Sequence, residues 1–169
     1  MTSGSRLWLD PVEQDVWRRL LATESRLRDR LDRELRADHG LSLGDYDVLV
    51  HLSEAPQRCL RMSELAERLL LSRSGLTRRV DGLVREGWVA RKACPDDRRG
   101  SLAQLTDLGF EVLKHAAVTH VSGVRRYLVD ALEPAGGMAA LGKGLEPVEK
   151  ALEQTDGFDR PDGSDHGGY

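Results

Sequence analysis

The order of elements predicted for residues 63–105 constrains the fold more than any other feature of this sequence. A short helix that begins at Ser63 precedes a helix that Ser72 caps, and only a tight turn separates the two. Two strands are then predicted at residues 88–93 and 101–105, joined by a polar turn. Helix, turn, helix and hairpin in this order form a winged helix-turn-helix. We therefore expect a mostly α-helical fold with a small β-wing.

Capping signals and apolar spacing predict further helices, about six in all. The first helix runs from the Asp10 cap to near Gly40, and the second from Ser42 to about Glu54. After the hairpin, helices are predicted from Thr106 to about residue 130 and from residue 138 to 154. We therefore divide the chain into four segments. Residues 1–40 form an N-terminal dimerisation helix, and residues 41–106 form the winged helix-turn-helix. Residues 107–154 form C-terminal helices that complete the dimer base, and residues 155–169 form a disordered acidic tail.

Composition excludes several classes of protein. The 169 residues include two cysteines, too few to frame a disulfide-stabilised secreted module of this length. No run approaches the ~18 apolar residues of a membrane span, and residues 1–10 lack the apolar segment of a signal peptide. We therefore expect a soluble, cytoplasmic protein.

Charge is distributed unevenly along the chain. The net charge is −3, yet residues 58–99 carry 11 basic and 6 acidic side chains, while the remainder carries 14 basic and 22 acidic. This asymmetry predicts an electropositive working face on an acidic body.

The helix that follows Ser72 carries side chains suited to reading DNA. Successive residues are about 100° apart, so its apolar and polar positions fall on opposite faces. Arginine reads guanine edges or binds phosphate, and small hydroxyls fit close to the backbone and bases. Asp81 is a candidate to orient Arg78 or Arg85, although an ordinary solvated helix charge is the favoured interpretation. The apolar face is Leu76, Val80, Leu83 and Val84, and the polar face is Ser74, Thr77, Arg78, Asp81 and Arg85, flanked by Arg73 and Arg79.

The tip of the predicted hairpin carries Asp97, Arg98 and Arg99. An arginine at a wing tip can enter the narrow minor groove of DNA. Asp97 is placed to hold one guanidinium through a bidentate pair. The alternative is a charged turn without a partner, but the preceding helices favour the DNA-binding interpretation.

The sequence resembles the MarR family of bacterial dimeric transcription regulators over residues 12–152. The resemblance is carried by Met62–Leu69, Ser72–Val89 and Asp96–Gly109, of which the last, with its Asp-Arg-Arg tip and Leu105–Thr106, is the most specific. It implies a homodimer on a pseudo-palindromic operator, with recognition helices in successive major grooves, wings in minor grooves, and repression as the default. The residues that it places on DNA-contact or wing positions are Ser63, Ser74, Thr77, Arg78, Asp97 and Arg99.

A dimer is also indicated by apolar stripes at both ends of the chain. The first and last predicted helices each carry such a stripe, and Leu7, Trp8 and Leu9 have little local core to join. Two-fold symmetry buries these surfaces and creates two DNA-reading heads. The alternative is that the helices pack on each other within one monomer.

The resemblance implies a small effector, which for this family is an anionic aromatic compound, an oxidant or a metal. Cys59 and Cys94 are weak candidates for a thiol sensor, and Cys94 is the better because basic residues surround it. Glu111 and His115 share a helix face, whereas His115 and His120 do not converge, so metal sensing is weakly supported. His51 and Trp17 are candidates for a ligand pocket or, more simply, for core packing.

Other function classes have less support. No nucleophile elbow, P-loop or metalloprotease motif is present in the sequence, so we predict neither an enzyme nor a cofactor. A winged-helix module that binds proteins is a further alternative, but the arginines on the helix face and wing disfavour it.

Overall fold

The winged helix-turn-helix predicted from the sequence is present in the computed structural model, which describes residues 8–94 and 97–156, with backbone alone at residues 97–100 and 155–156. Six α-helices of seven residues or more and a three-stranded antiparallel sheet make up most of this part of the chain. The helices are α1 (Pro11–His39), α2 (Leu43–Glu54), α3 (Met62–Arg68), α4 (Arg73–Arg85), α5 (Asp107–Val124) and α6 (Gly137–Asp156), and the strands are β1 (Cys59–Arg61), β2 (Val89–Cys94) and β3 (Asp97–Leu105). The disordered tail predicted from residue 155 onwards falls, after residue 156, outside the described residues.

Short-range capping determines where the helices begin. The Asp10 carboxylate accepts hydrogen bonds from the amides of Val12 and Glu13, and Glu13 accepts one from the Asp10 amide, which is the predicted capping box. Ser72 caps α4 through the Gly75 amide, as predicted. The predicted Ser63 cap of α3 is wrong: the cap position is Arg61, two residues earlier, and it has no side-chain cap bond.

The sheet differs from the predicted hairpin in two ways. β1, which was not predicted, pairs with β3, so that the strand order is β1-β3-β2. β3 begins at Asp97 rather than Ser101. Ala93 pairs with Ser101 while Cys94 pairs with Asp97, so the register passes over residues 98–100. A three-residue strand such as β1 is too short to show an alternating pattern, and tertiary pairing alone defines it.

The core forms where α2, α3 and α4 meet the inner face of the sheet. Leu49, Leu65, Val80 and Ala103 are fully buried there. Thr106 joins this core to α5, because its hydroxyl donates to the carbonyls of Gly87 and Trp88, between α4 and β2, and accepts the Gly109 amide at 3.0 Å. The predicted Thr106 cap is confirmed.

Residues 125–156 belong to a second compact unit, Arg125–Tyr169, distinct from Met1–Val124. The helix predicted to reach residue 130 is α-helical only to Val124, and a π-helical turn, Arg125–Val129, follows. Two short turns, Asp130–Leu132 and Glu133–Ala135, then lead to α6, which contains Pro147. The widened turn shifts the hydrogen-bond register by one residue, which apolar spacing does not reveal.

Gly109 supports a first prediction, because a Cβ at this position would lie against the carbonyl oxygen of Trp88. We expect Gly109→Ala to destabilise the fold by about 1–3 kcal/mol through this clash. Gly142→Ala, in α6, is the control: a Cβ there meets nothing within 4 Å, and alanine favours a helix. Urea unfolding measures both variants, and equal stability for Gly109→Ala and the parent would contradict the packing.

Candidate nucleic-acid interface

The two faces of α4 are sharply divided. Leu76, Val80 and Leu83 are at most 2% exposed and dock the helix on the core. Val84, predicted on the same face, is half-buried. The opposite face is solvent-exposed at Ser74, Thr77 and Arg78, with Arg73 exposed at the first turn. The structure therefore brings four of the predicted DNA-contact residues together on one surface.

The arginines of this face differ from those of α1 in their partners. On α1, Arg19, Arg33 and Arg36 form ion pairs with carboxylates one turn away, at 2.7, 2.5 and 2.6 Å. Neither Arg73 nor Arg78 forms an ion pair with any residue in the described part of the chain. Because the positive end of the helix dipole adds to their charge, the N-terminal half of α4 is suited to an anionic partner.

Arg79 occupies a different environment from its neighbours on α4. Its guanidinium is half-buried, donates to Asp45 at 2.9 Å and to the Ser42 hydroxyl at 3.2 Å, and lies over Gly44, where a Cβ would collide with it. Its Nε is buried and has no hydrogen-bond partner among the described residues. The structure thus places Arg79 against the N-terminus of α2, where it anchors α4.

The corner between α1 and α2 extends this polar network. Asp32 accepts from the Leu43 amide at 2.8 Å and from Arg36 Nε at 2.6 Å. Partial burial acts to raise the pKa of Asp32, but the hydrogen bonds from Arg36 and from the Leu43 amide outweigh it and lower the pKa. The same bond raises the pKa of Arg36. Asp32 is therefore held as a carboxylate that fixes the start of α2.

Asp81 connects α4 to the wing instead of orienting a neighbour on its own helix. Both Nε and Nη2 of Arg91 donate to Asp81 Oδ1, at 3.1 and 2.9 Å, and Nη1 reaches the Ser101 hydroxyl at 3.4 Å. Both interpretations of Asp81 are therefore wrong, since it is neither an unpaired solvated charge nor a partner of Arg78 or Arg85. The sequence did not identify Arg91 as the partner of Asp81, because helical spacing predicts only contacts within one helix. This contact depends on the position of β2 beside α4.

The remaining predicted contacts lie on α3 and at the wing tip. Ser63 is exposed near the start of α3. The backbone of residues 97–100 belongs to β3, and Arg98 and Arg99 lie in the stretch of β3 that has no paired residue on β2. The side chains of Asp97, Arg98 and Arg99, and therefore the expected Asp97–arginine pair, lie outside the described part of the structure.

The other candidate sites do not assemble. Cys59 is half-buried and Cys94 is buried, both as free thiols. Glu111 pairs with Lys114 at 2.7 Å rather than with His115. No group of three or more potential metal ligands occurs within residues 8–94 and 97–156, and no helix there is long and apolar enough to cross a bilayer.

Aromatic residues beside α2 form packing contacts. The rings of Tyr46 and His120 stack with centroids 4.5 Å apart, which ties α2 to α5. Burial lowers the pKa of His120 against the influence of Asp47, and burial raises the pKa of Asp47. Trp17, a candidate for core packing, is 51% exposed on α1.

The chain is similar to known proteins over the winged helix-turn-helix, and to solved structures over most of its length. A family model described as MarR family matches residues 39–100. The HTH-type transcriptional regulator PecS of Dickeya dadantii is 32% identical over 114 residues, which cover 64% of this chain and 68% of PecS. Sco3205, a MarR family transcriptional regulator from Streptomyces coelicolor crystallised with DNA, is 41% identical with a TM-score of 0.80, covering 94% of this chain and 96% of Sco3205. AbsC, from the same organism and family, is 36% identical with a TM-score of 0.79, covering 87% and 98%.

The contact between Asp81 and Arg91 generates a second prediction. Because the pair is partly exposed, a double-mutant cycle of Asp81→Asn and Arg91→Gln should give a coupling energy of about 0.2–1 kcal/mol in urea unfolding. Asp81→Asn should also speed amide exchange in β2, whereas Asp15→Asn, which breaks a surface pair on α1, should leave β2 unchanged. Additive losses together with unchanged exchange in β2 would show that the pair does not hold the wing.

Proposed function

The chain belongs to the MarR family of transcriptional regulators, and we propose that it binds a pseudo-palindromic operator as a homodimer and represses transcription. The observation that carries the proposal is the division of α4 into a buried apolar face and an exposed face with Arg73 and Arg78 unpaired among the described residues. The proposal includes no catalytic step.

In this proposal α4 enters the major groove of DNA. Arg78 and Thr77 lie on the exposed face in the first half of the helix, which is the part of a recognition helix that reaches base edges. Arginine makes bidentate hydrogen bonds to guanine, and small hydroxyls contact bases or phosphates. Arg73, Ser74 and Ser63 serve the phosphate backbone, which positions the protein without reading sequence. Arg79 acts indirectly by holding α4 against Asp45.

The wing supplies the minor-groove contact. Arg99, with Arg98 beside it, enters the groove and senses its width and negative potential, and Asp97 limits the motion of the guanidinium. The contact between Asp81 and Arg91 supports this arrangement, because it fixes β2 relative to the helix that reads the major groove.

Two exposed apolar stripes support the proposed homodimer. On α1, Val12, Val16 and Leu20 are between 50% and 72% exposed. On α6, Met138, Leu145, Val148 and Leu152 recur at intervals of seven, three and four residues, the spacing of a helix-packing seam, and are 38–62% exposed. Contiguous exposed apolar surface is typical of protein–protein interfaces. A second copy of the chain is therefore proposed to cover both stripes.

A cleft beside α4 is a candidate site for a small effector. It has a volume of about 360 Å³, and its polar lining combines the basic side chains of Arg79 and Arg85 with the carboxylates of Asp45 and Glu86, beside His39 and Trp88. The guanidinium groups of Arg79 and Arg85 in this lining favour a ligand with a hydrogen-bond acceptor such as a carboxylate. Because Arg79 anchors α4, a ligand that engages it would alter how the helix is held.

The proposal predicts which arginine carries base recognition. Operator DNA is first selected from fragmented genomic DNA with the purified protein. Arg78→Ala should then weaken specific binding by about 1–3 kcal/mol, because the base-edge contact is lost. Arg73→Ala should weaken specific and non-specific binding alike and flatten the salt dependence by about one unit of slope. Fluorescence anisotropy at several salt concentrations measures both effects.

The matched control is Arg18→Ala, which removes an exposed α1 arginine that has no ion pair within the described residues. It should leave DNA binding unchanged. Parent-like operator affinity for Arg78→Ala would show that α4 is not the reader. A protein-interaction module would give no salt-dependent DNA binding by the parent.

The dimer predicts a specific effect of charge on the α6 stripe. Val148→Glu should lower the sedimentation mass from two chains to one at micromolar concentration and weaken operator binding, because two reading heads no longer act together. Lys143→Glu lies on the opposite side of α6 and should remain dimeric. A parent mass of one chain, or a dimeric Val148→Glu, would contradict the proposed interface.

If the cleft binds an effector, the same ligand should both stabilise the protein and release it from operator DNA. A small aromatic carboxylate that fills the cleft should raise the melting temperature and lower operator affinity, since it binds the folded state and alters the anchoring of α4. Arg85→Gln should reduce both responses. Screening a panel of such acids by thermal shift tests this, and the absence of any response across the panel would count against an anionic effector in this cleft.

A further inference from the structure

The outer face of the three-stranded sheet carries two cations in one row. The register pairs Arg61 of β1 with Leu102 of β3, and Leu102 with Lys92 of β2. Residues paired directly across antiparallel strands point to the same side of a sheet. Arg61 and Lys92 therefore flank Leu102 on one face, two strand spacings, or about 10 Å, apart.

Burial identifies this face as the outer one. The neighbouring row, Leu60 and Ala103, is at most 4% exposed and faces the core. Side chains alternate along a strand, so the row of Arg61, Leu102 and Lys92 faces away from the core. Both cations are exposed, and Leu102 is half-buried between them.

The two cations of this row have no ion-pair partner among the described residues. Neither Arg61 nor Lys92 forms an ion pair with a residue that the structure describes, unlike Arg58, which reaches Asp107 at 3.2 Å. The other outer-face positions paired before the register shift at Ala93/Cys94 are Cys59, Ala90 and Gln104, and none of them is a carboxylate. The row is therefore a cationic strip on a surface without opposing charge from those positions.

Each cation of the strip lies close along the chain to an element of the proposed DNA interface. Arg61 immediately precedes α3, on which exposed Ser63 lies two residues later. Lys92 lies on the same hairpin as Arg98 and Arg99. A duplex held by α4 and the wing tip that continues past the wing would bring its phosphates along this face.

We propose that Arg61 and Lys92 bind phosphates of duplex DNA that flanks the half-site read by α4. The inference rests on the proposed function and extends it. The two side chains lengthen the DNA that the protein occupies and add affinity without adding sequence preference, because phosphate contacts carry no base information directly.

Binding to two lengths of duplex tests this proposal. One duplex ends at the outer edges of the two half-sites, and the other extends each side by about one helical turn, or roughly 10 base pairs. Arg61→Gln/Lys92→Gln should bind the short duplex like the parent. On the long duplex its salt dependence should be shallower by about 1.8 units of slope for each bound protomer, from two lost phosphate contacts.

The matched control removes the same charge from α1 through Arg18→Gln/Arg26→Gln, two exposed arginines without an ion pair among the described residues. It should match the parent on both duplexes, and Arg61→Lys/Lys92→Arg should retain the gain from flanking DNA. An unchanged melting temperature for each variant confirms the fold.

Three results separate the possible failures. A parent-like salt slope for Arg61→Gln/Lys92→Gln on the long duplex overturns the flanking contact while leaving DNA binding by α4 intact, as would be found if the strip binds an acidic protein. Equal losses on both duplexes also overturn it, because the contacts would then lie within the half-site. Absence of DNA binding by the parent overturns the proposed function itself.

Discussion

The docking of α4 through Leu76, Val80 and Leu83 is the interaction on which the candidate interface depends. Each fully buried side chain contributes about 1.5–3 kcal/mol, more than the ~0–1 kcal/mol of an exposed ion pair. Apolar burial therefore decides which face of α4 is outward. The half-buried contact between Arg79 and Asp45 also helps to fix the rotation of α4 about its axis, because it holds Arg79 inward and leaves Arg78 on the exposed face.

Some basic residues of this chain pair with a carboxylate on their own helix, and others have no ion pair among the described residues. On α1, carboxylates one turn away neutralise several guanidinium groups. On α4 and the outer sheet face, Arg73, Arg78, Arg61 and Lys92 form no such pair within the described residues. A protein of net charge −3 can thus present a positive surface, because the acidic residues are concentrated elsewhere. Salt sensitivity of DNA binding is the expected consequence.

Local features of the fold could be predicted from the sequence, and features that depend on tertiary register could not. The caps at Asp10, Ser72 and Thr106 were predicted because each acts within three residues. The buried face of α4 followed from helical spacing. The partners of Asp81 and Arg79 were not predicted, because Arg91 and Asp45 lie on other elements. The same limit applies to the row of Arg61, Leu102 and Lys92, which exists only through the pairing of β1, a strand too short to be recognised.

The central claim is that the exposed face of α4 and the wing contact DNA. Hydrogen exchange of the whole chain with and without selected operator DNA tests it most directly. We expect slower exchange at the first turn of α4 and in the hairpin of β2 and β3, with no change in the charged middle of α1. Protection confined to α1 or α6, with α4 and the hairpin unchanged, would contradict it.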